Sequence, residues 1–375
     1  MRIVHVVTLV SDDGAYGGPV SVATGQLTEL AARGHQVRLV ALWRGRGPAP
    51  DRVAGVPART RPARTLVPGQ GFLGLLHPRL PLDLWRLAGR ADVLHVHAGR
   101  DLVSLTALAV AALRRRHLVV QTHGMVQPRR APLARVFDAV YRPLLRRAST
   151  LLALTDRERA DLAEVLGPRC PAVCDVPNGV RPAPEPASPP EPGPPTVLFL
   201  ARLHPRKRPD AFVEAAALLH ADLPDLRFLL HGPDEGCLGR TRELARRLGL
   251  EGVVAFGGAL DHAGALRALA AAAVYVLPSV DEPFPMSVLE ALATGTPVVC
   301  TDRCGIAADL AGRGAAVVTD GTPRALADAV RALVSDPRHR AEVVAAGHRA
   351  VREVFSVTAV ADRLEELYGG AGTRG

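Results

Sequence analysis

The alternation of short apolar segments with longer amphipathic segments is the feature that most constrains the fold of this chain. The apolar segments have the length and β-branched composition of strands, and they predict strands at residues 2–10, 36–42, 92–98, 118–122, 150–155, 196–201, 227–231, 253–256, 274–277, 298–301 and 316–319. Segments of helical period lie between them, and the first, residues 19–33, ends at Gly34, a residue type that often terminates helices. This alternation predicts an α/β fold, with parallel sheets covered by helices on both faces.

A proline-rich segment divides the pattern into two parts. Residues 181–195 read RPAPEPASPPEPGPP, in which eight of fifteen residues are proline, and this composition predicts a stiff, exposed linker. The alternation restarts after it, which predicts domains at residues 1–180 and 196–355, followed by a C-terminal segment, 356–375. Open α/β sheets bind ligands at the carboxyl ends of their strands, so we expect two doubly wound domains with a cleft there.

The charge is unevenly distributed. Residues 1–185 contain 26 arginines against 14 acidic residues, whereas the remainder has a net charge of −3. A basic N-terminal half favours an anionic neighbour, either a membrane surface or a phosphorylated substrate. Aromatic residues make up only 4% of the chain and do not alternate with basic ones, so we expect no nucleic-acid partner.

Cysteine use and hydropathy indicate the compartment. The five cysteines include two C-x3-C pairs, whose spacing is a weak match to a zinc site, so we expect free thiols in a reducing environment. The N-terminal apolar run is followed by two aspartates and does not read as a signal peptide, and the apolar helix at 102–113 is too short to span a bilayer. We therefore expect a cytoplasmic protein, either soluble or peripheral on the inner face of the membrane.

Two glutamates separated by seven residues form the strongest local motif. Glu282 follows a predicted strand, and Glu290 lies about one turn into a helix that begins near Met286 and ends at Gly295. The first N–H groups of such a helix are free to bind a phosphate or to orient sugar hydroxyls. A capping box, Ser287-x-x-Glu290, is the structural alternative for the second glutamate.

A basic loop follows the first strand of the second domain. Arg202 directly follows that strand, and Lys207, the only lysine of the chain, comes five residues later in the sequence LHPRKRP. Two cations above a parallel strand suit a diphosphate, since arginine offers a bidentate fork and lysine a compact charge. Within this loop we expect Lys207 to contact phosphate and Arg206 and Arg208 to face solvent; a wholly solvated loop is the alternative.

Three strand-end turns are weaker candidates. Gly17 and Gly18 precede a helix and permit close approach of a phosphate, although a tight turn explains them as well. His123 ends a strand in Thr122-His123-Gly124, and Gly232 follows another strand. The chain contains neither the phosphate-binding loop G-x-x-x-x-G-K-[ST] nor a D-x-D pair, so we expect neither P-loop phosphate transfer nor a nucleotide-bound metal.

Together these motifs resemble those of the retaining, nucleotide-sugar-dependent glycosyltransferases of family 4, the glycosyl transferases group 1. The resemblance covers nearly the whole chain. Its most specific element is the E-x7-E segment with the continuation Ala-Leu-Ala-Thr-Gly295-Thr-Pro-Val-Val. Arg208, Arg181 and Asp309 depart from residues common in the family (glycine, aspartate and glutamate), which bears on donor preference.

The resemblance implies the GT-B fold, with the nucleotide sugar on the C-terminal domain, most of the acceptor on the N-terminal domain, and the last helix packing back toward the latter. It also implies the roles of individual residues. The residues expected to act in catalysis are Glu282, Arg202, Lys207 and His123, and those expected to bind the donor are Gly17, Gly18, Gly232, Phe284, Pro285, Met286, Ser287 and Glu290. Arg202 and Lys207 would bind the diphosphate, Glu290 the ribose, and Glu282 and His123 the hexose.

The implied reaction moves a hexose from a nucleotide diphosphate sugar, UDP- or GDP-linked, to a hydroxyl acceptor with retention of configuration. No metal or other cofactor is expected, and a front-face mechanism fits. The acceptor would be an intermediate of a cell-surface polysaccharide or a natural product. Two alternatives remain: a nucleotide-sugar epimerase of the same fold and a non-catalytic sugar-nucleotide-binding protein.

Overall fold

The structure is a computed structural model that describes residues 1–12, 17–67, 69, 71–129, 131–181 and 193–369. Most of the predicted linker, residues 182–192, and part of the first glycine-containing turn, residues 13–16, lie outside the described residues. The chain divides into two compact units. Unit 1 comprises Met1–Gly179 and the C-terminal segment from Val357, and unit 2 comprises Val180–Ser356.

The strands follow the predicted order along the chain. They are β1 (Arg2–Ser11), β2 (Gln36–Arg44), β3 (Arg52–Val53), β4 (Val56–Pro62), β5 (Arg64–Thr65), β6 (Leu75–Leu76), β7 (Val93–His97), β8 (His117–Gln121), β9 (Thr150–Ala153), β10 (Val173–Asp175), β11 (Thr196–Leu200), β12 (Arg227–His231), β13 (Val254–Gly258), β14 (Val274–Leu277), β15 (Val298–Thr301) and β16 (Val317–Thr319).

Thirteen α-helices connect these strands in the described residues. They are α1 (Gly17–Ala32), α2 (Leu80–Ala88), α3 (Leu102–Arg114), α4 (Pro132–Leu145), α5 (Asp156–Leu166), α6 (Pro209–Asp222), α7 (Leu238–Arg247), α8 (His262–Ala271), α9 (Met286–Ala293), α10 (Ala307–Gly312), α11 (Pro323–Ser335), α12 (Pro337–Ala350) and α13 (Val357–Gly369). Short 3-10 turns occur at Gly71–Gly74, Gly167–Arg169 and Pro205–Lys207, and a π turn at Val351–Phe355 joins α12 to the last helix segment.

The main sheet of unit 1 has the order β10-β9-β8-β7-β1-β2-β4-β3. All of its pairs are parallel except the short β3–β4 pair. The strand order reverses at β1, which lies between β2 and β7, so the ligand-binding position of an open sheet falls at the carboxyl ends of β1 and β7. The edge pair β3–β4 was not predicted, because its proline- and arginine-rich sequence is atypical of a strand and is tolerated only near a sheet edge.

Helices cover both faces of this sheet. One face is packed by α2, α3 and α4 through buried residues such as Leu84, Leu108 and Tyr141. The other face is covered by α1 and α13, whose residues Leu27, Leu364 and Tyr368 belong to a second buried cluster. The apolar spacing of α13 at Val360, Ala361, Leu364 and Tyr368 is helical, which explains why this last segment packs as a helix on the sheet.

The sheet of unit 2 has the order β13-β12-β11-β14-β15-β16, with every pair parallel. Numbered within the unit, this is the order 3-2-1-4-5-6 of doubly wound nucleotide-binding domains, and it reverses between β11 and β14. The loops that follow β11 and β14 contain Arg202, Lys207 and Glu282. The topology therefore brings the two strongest sequence motifs to one edge of one sheet.

Candidate active site

The loop after β11 is shaped by local hydrogen bonds. The His204 ring nitrogen Nδ1 accepts a hydrogen bond from the Arg206 amide at 3.1 Å and begins the 3-10 turn that contains Lys207. Arg208 then adopts a left-handed conformation with φ of 52° before α6 begins. The Val280 amide donates to the Arg206 carbonyl at 2.8 Å, which ties this loop to the loop after β14.

Lys207 and Glu282 form an ion pair between Nζ and Oε2. Both side chains are largely buried, with 16% and 13% of their surface exposed. The Glu282 backbone is held in turn by the loop after β15, since its carbonyl accepts from the Gly305 amide at 2.8 Å. The structure thus joins the single lysine to the first glutamate of the E-x7-E motif, and each partly buried charge has the other as its partner.

The N-terminus of α9 lies directly after Glu282. The helix begins at Met286, so the amides of Met286 and Ser287 fall in the first turn, where the helix itself supplies no acceptor. The buried Tyr275 hydroxyl donates to Ser287 Oγ at 2.8 Å and contacts the Leu200 carbonyl at 3.2 Å. This contact links the end of β11 to the start of α9 and holds the anion-binding end of the helix in place.

Phe284 and Pro285, the two residues directly before α9, determine how the chain enters the helix. Phe284 is buried, and its ring packs edge-on against Phe355 with 6.4 Å between centroids. Pro285 occupies the N-cap position in an extended conformation. Phe284 and Pro285 therefore support the backbone between the two glutamates.

Glu290 does not form the capping box that its spacing suggested. Because α9 begins at Met286, Ser287 lies inside the first turn and is not the N-cap. Within the described part of the chain, the Ser287 amide donates no hydrogen bond to the Glu290 carboxylate. The Glu290 side chain is 19% exposed and lies 3.7 Å from His262 Nδ1. Burial raises the pKa of Glu290, while the nearby His262 opposes this shift.

Arg202 and Gly232 meet at the carboxyl ends of β11 and β12. Arg202 forms an exposed ion pair with Glu235 at 2.8 Å. Gly232 has φ of 150°, and a Cβ atom there would lie 1.9 Å from the Ala201 carbonyl oxygen. The family resemblance implies that Gly232 binds the donor; in the structure, the close approach at this glycine is to the neighbouring strand end at Ala201.

The expectation that Arg206 and Arg208 only face solvent is incomplete. The Arg206 guanidinium donates to the Asp281 carbonyl, and Arg208 Nη1 donates to the Gly321 carbonyl at 2.8 Å. Both arginines therefore fasten the loop to its neighbours. Lys207 is the member of the run whose side chain points to a carboxylate in the predicted site.

His123 lies in unit 1, immediately after β8. It has φ of 51°, and the following Gly124 has φ of 71°, so the chain makes a tight left-handed turn at the end of the strand. The buried Glu158 stabilises this turn by accepting from the Gly124 amide at 2.5 Å and the Leu154 amide at 2.7 Å. Burial lowers the pKa of His123 to about 3, so its ring is neutral at physiological pH.

Gly17 and Gly18 are the first two residues of α1, not a turn before it. Nothing lies within 4 Å of a Cβ atom placed on Gly18. Since this helix follows β1 at the strand-order reversal of unit 1, its N-terminus has the orientation expected of an anion site in a doubly wound sheet.

The sequence reasoning missed a cluster of buried histidines beneath His123. His5 on β1 and His95 and His97 on β7 are at most 1% exposed. The pattern His-Val-His at residues 95–97 was the available signal, because alternate residues of a strand face the same side. Glu158 was also missed, since a glutamate in a polar helix gives no sign that it is buried.

Fold and site together define a class of protein. Unit 2 has the strand order of nucleotide-binding domains, and it places a cation, two carboxylates and a helix N-terminus at the carboxyl ends of its central strands. This arrangement is typical of α/β proteins that bind phosphorylated nucleotides.

Comparison with known families agrees with that class. Residues 182–350 match the family described as glycosyl transferases group 1, and residues 17–179 match the glycosyl transferase 4-like domain. The chain is 32% identical over 362 residues to a phosphatidyl-myo-inositol mannosyltransferase of Mycobacterium leprae, covering 93% of this chain and 92% of that protein. It is 34% identical over 241 residues to D-inositol 3-phosphate glycosyltransferase 2 of Catenulispora acidiphila, covering 59% and 56% of the two chains. The chain belongs to the glycosyl transferases group 1 family and is a glycosyltransferase.

Solved structures show the same fold. HepE of Anabaena in complex with UDP aligns with a TM-score of 0.76 at 18% identity, covering 99% of this chain and 100% of that one. Sucrose-phosphate synthase of Thermosynechococcus elongatus aligns with a TM-score of 0.73 at 20% identity, covering the full length of both chains. The predicted GT-B fold class is thereby confirmed. Within the described residues, no helix combines the length and apolarity needed to cross a membrane.

Proposed function

We propose that this glycosyltransferase moves a hexose from a nucleotide diphosphate sugar to a hydroxyl acceptor, with retention of configuration and without a metal ion. The observation that carries the proposal is the buried Lys207–Glu282 ion pair beside the N-terminus of α9. The relatives named for mannosyl and glycosyl transfer favour transfer over the epimerase and non-catalytic alternatives.

A nucleotide sugar has a charged diphosphate and a neutral hexose, and the ion pair offers one residue to each part. When a nucleotide sugar binds, Lys207 turns to the diphosphate and Glu282 becomes free to accept hydrogen bonds from hexose hydroxyls. Glu290, about one turn into α9, accepts from the ribose hydroxyls. HepE has been solved with UDP and with UDP-glucose, which supports a uridine donor here.

The same residues supply what the leaving group needs. The bond between the anomeric carbon and the phosphate oxygen breaks, and negative charge grows on the diphosphate. Lys207, Arg202 and the α9 amides stabilise this charge, in the way that fixed donors stabilise developing anions in other enzymes. The acceptor oxygen bonds to the anomeric carbon on the same face, and its proton passes to the departing phosphate oxygen.

We further propose that the acceptor is a phosphorylated inositol. Both relatives described above are named for inositol-containing acceptors that carry phosphate. Unit 1 supports this with a pocket of about 600 Å³ lined by Arg129, Arg135 and Arg142 together with Asp138. Arginine side chains of this kind bind phosphate through paired N–H groups.

A transfer assay tests the donor, the acceptor and the metal requirement together. The purified protein is incubated with UDP-glucose or GDP-mannose and with myo-inositol, D-inositol 3-phosphate or phosphatidylinositol vesicles, with and without EDTA. We expect transfer to the phosphorylated acceptors only, unchanged by EDTA, and a product that keeps the anomeric configuration of the donor. Donor consumption without an acceptor product, or transfer abolished by EDTA and restored by a divalent metal, would contradict the proposal.

A further inference from the structure

The buried histidines of unit 1 lie where its strand order reverses. His5 on β1 and His95 on β7 are directly paired across the two strands, and His97 lies two residues further along the same face of the sheet. Tyr368 of α13 covers them from above and is 1% exposed. A reversal point of a parallel sheet is a ligand-binding position, so polar side chains buried beneath it call for a functional account.

These side chains form one continuous chain of hydrogen bonds that ends at His123. His123 Nε2 lies 2.8 Å from His97 Nδ1, and His97 Nε2 lies 3.0 Å from His5 Nδ1. His5 Nε2 lies 3.1 Å from the Tyr368 hydroxyl, which also lies 2.6 Å from His95 Nδ1. The contacts thus join His123, one of the predicted site residues, to a tyrosine 245 positions later in the sequence.

Each imidazole in this chain is neutral. Burial lowers the pKa values of His5, His95 and His97 well below the ordinary value, and that of His123 to about 3. A neutral imidazole has one nitrogen that donates and one that accepts. A histidine that donates to one neighbour must therefore accept from the other, so the direction of one hydrogen bond determines the direction of the others along His123, His97 and His5.

Only two arrangements give every contact one donor and also use the single hydroxyl hydrogen of Tyr368. If Tyr368 donates to His95, then all four histidines carry their proton on Nε2. If Tyr368 donates to His5, then all four carry it on Nδ1. The two arrangements differ at His123 Nδ1, for which no partner is found within the described residues. In the first arrangement this nitrogen is able to accept a hydrogen bond from a ligand, and in the second it is able to donate one.

A metal ion explains the cluster less well than the chain of hydrogen bonds does, although His5, His95 and His97 lie close enough together to be considered as metal ligands. The His95 and His97 rings are stacked, with 4.6 Å between centroids and planes only 9° apart. A metal binds in the plane of an imidazole at about 2.0–2.1 Å, and no point lies that close to nitrogens of two stacked rings while staying in both planes. Five of the six ring nitrogens of the trio moreover already have partners; the exception is His95 Nε2.

We propose that Tyr368 is a positioning residue that acts through His5 and His97 to determine which ring nitrogen of His123 carries the proton. This inference rests on the proposed function, together with the role that the family resemblance implies for His123, which is contact with the transferred sugar. A sugar hydroxyl both donates and accepts, so its orientation against His123 depends on whether Nδ1 presents a proton or a lone pair. The C-terminal helix thereby influences hydrogen bonding at the sugar without touching it.

Nitrogen NMR of the protein labelled with 15N-histidine tests the inference without any substrate. In the wild-type protein we expect His5, His95, His97 and His123 to be protonated on the same nitrogen, all on Nδ1 or all on Nε2. Any mixed pattern among the four would overturn the proposal, as would a zinc ion that copurifies with the protein and is lost in His95→Asn.

Tyr368→Phe removes the hydroxyl that links His5 to His95, and we expect His123 to populate both tautomers. Tyr141→Phe is the matched control, because Tyr141 is equally buried in unit 1 and its hydroxyl has no partner among the described residues. A His123 tautomer that is unchanged in Tyr368→Phe would overturn the proposal. Should this variant not fold, the wild-type pattern still decides the question.

The activity of the same variants separates the two proposals. If only one tautomer is productive, equal populations would lower kcat by about 2-fold, and stronger bias to the wrong tautomer would lower it further, with little change in donor KM. Tyr141→Phe is expected to keep wild-type kcat. Wild-type protein that shows the uniform tautomer pattern but no sugar transfer would refute the proposed function and leave the hydrogen-bond chain intact.

Discussion

At the scale of single residues, the ion pair of Lys207 and Glu282 explains why the only lysine of the chain lies where it does. A lysine is a compact charge on a flexible stem, so it can leave a carboxylate and approach a diphosphate. The flanking Arg206 and Arg208 are tied to backbone carbonyls and lack this freedom. The ion pair holds the two side chains against each other in the structure.

Replacing Lys207 with alanine tests this role. We expect Lys207→Ala to lower kcat for transfer by roughly 100-fold or more, because a cation at the leaving diphosphate is lost. Arg338→Ala is the matched control, since Arg338 forms an exposed ion pair with Glu342 on α12, and it is expected to retain wild-type activity. Steady-state kinetics with a saturating acceptor measures both, and near-wild-type kcat in Lys207→Ala would rule out its contact with the leaving group.

Glu290 provides a second test, because its partly buried carboxylate accepts no capping hydrogen bond. We expect Glu290→Ala to weaken UDP binding while the melting temperature changes little, as measured by calorimetry and thermal unfolding. Since burial raises the pKa of Glu290, its carboxylate becomes protonated at a higher pH than an ordinary glutamate. UDP affinity of the wild type should therefore decline on acidification, and Glu290→Gln should remove that part of the decline. A variant that unfolds more easily yet binds UDP normally would point to a structural role instead.

At the scale of elements, the close contact between the carboxyl ends of β11 and β12 requires a glycine at residue 232. A side chain at residue 232 would overlap the Ala201 carbonyl oxygen and would also have to adopt φ of 150°. The carboxylate of Asp234, two residues on, accepts hydrogen bonds from the Gly236, Cys237 and Leu238 amides, which start α7 and lower the pKa of this aspartate. The turn is therefore defined by backbone contacts on both sides.

We expect Gly232→Ala to destabilise the protein by about 1–3 kcal/mol, the usual cost of forcing a residue into a strained backbone conformation. Gly239→Ala in α7 is the control, because nothing lies within 4 Å of the added methyl group and alanine favours a helix by roughly 0.5–1 kcal/mol over glycine. Denaturant unfolding of the two variants should shift in opposite directions. Equal stability would show that the turn relaxes without cost.

At the scale of the whole molecule, the buried histidines make stability depend on pH. Their pKa values are lowered in the folded protein, to about 3 for His123 against an ordinary value of 6.5. Below about pH 6.5 the unfolded chain therefore binds protons that the folded chain does not, and the free energy of unfolding falls as the pH falls. The slope for each such histidine approaches about 1.4 kcal/mol per pH unit.

Thermal unfolding between pH 7.5 and pH 5 measures this dependence. We expect the wild-type melting temperature to decline on acidification, and His123→Asn to reduce the steepness of the decline because one buried imidazole is removed. The same steepness in wild type and variant would show that His123 takes up its proton in the folded state.

The positions of the strands and the candidate site follow largely from local sequence. The predicted strands 227–231, 274–277 and 298–301 coincide with β12, β14 and β15. Because parallel strands end at one edge of a sheet, the motifs that follow strands in the sequence had to lie at that edge, and Lys207 and Glu282 do. Periodicity and strand order are properties of neighbouring residues, so the sequence by itself determined the α/β pattern, the two repeats of that pattern and the candidate residues.

Only the tertiary structure decided which of those residues touch. Glu282 binds Lys207 across 75 positions, Glu290 lies near His262 and not at its own helix amide, and Tyr368 reaches His5 across 363 positions. Such contacts depend on strand register, helix packing and side-chain rotamers, and none of these is encoded within a short segment. The histidine chain shows this most clearly, because three strands and the last helix must pack together before its hydrogen bonds exist.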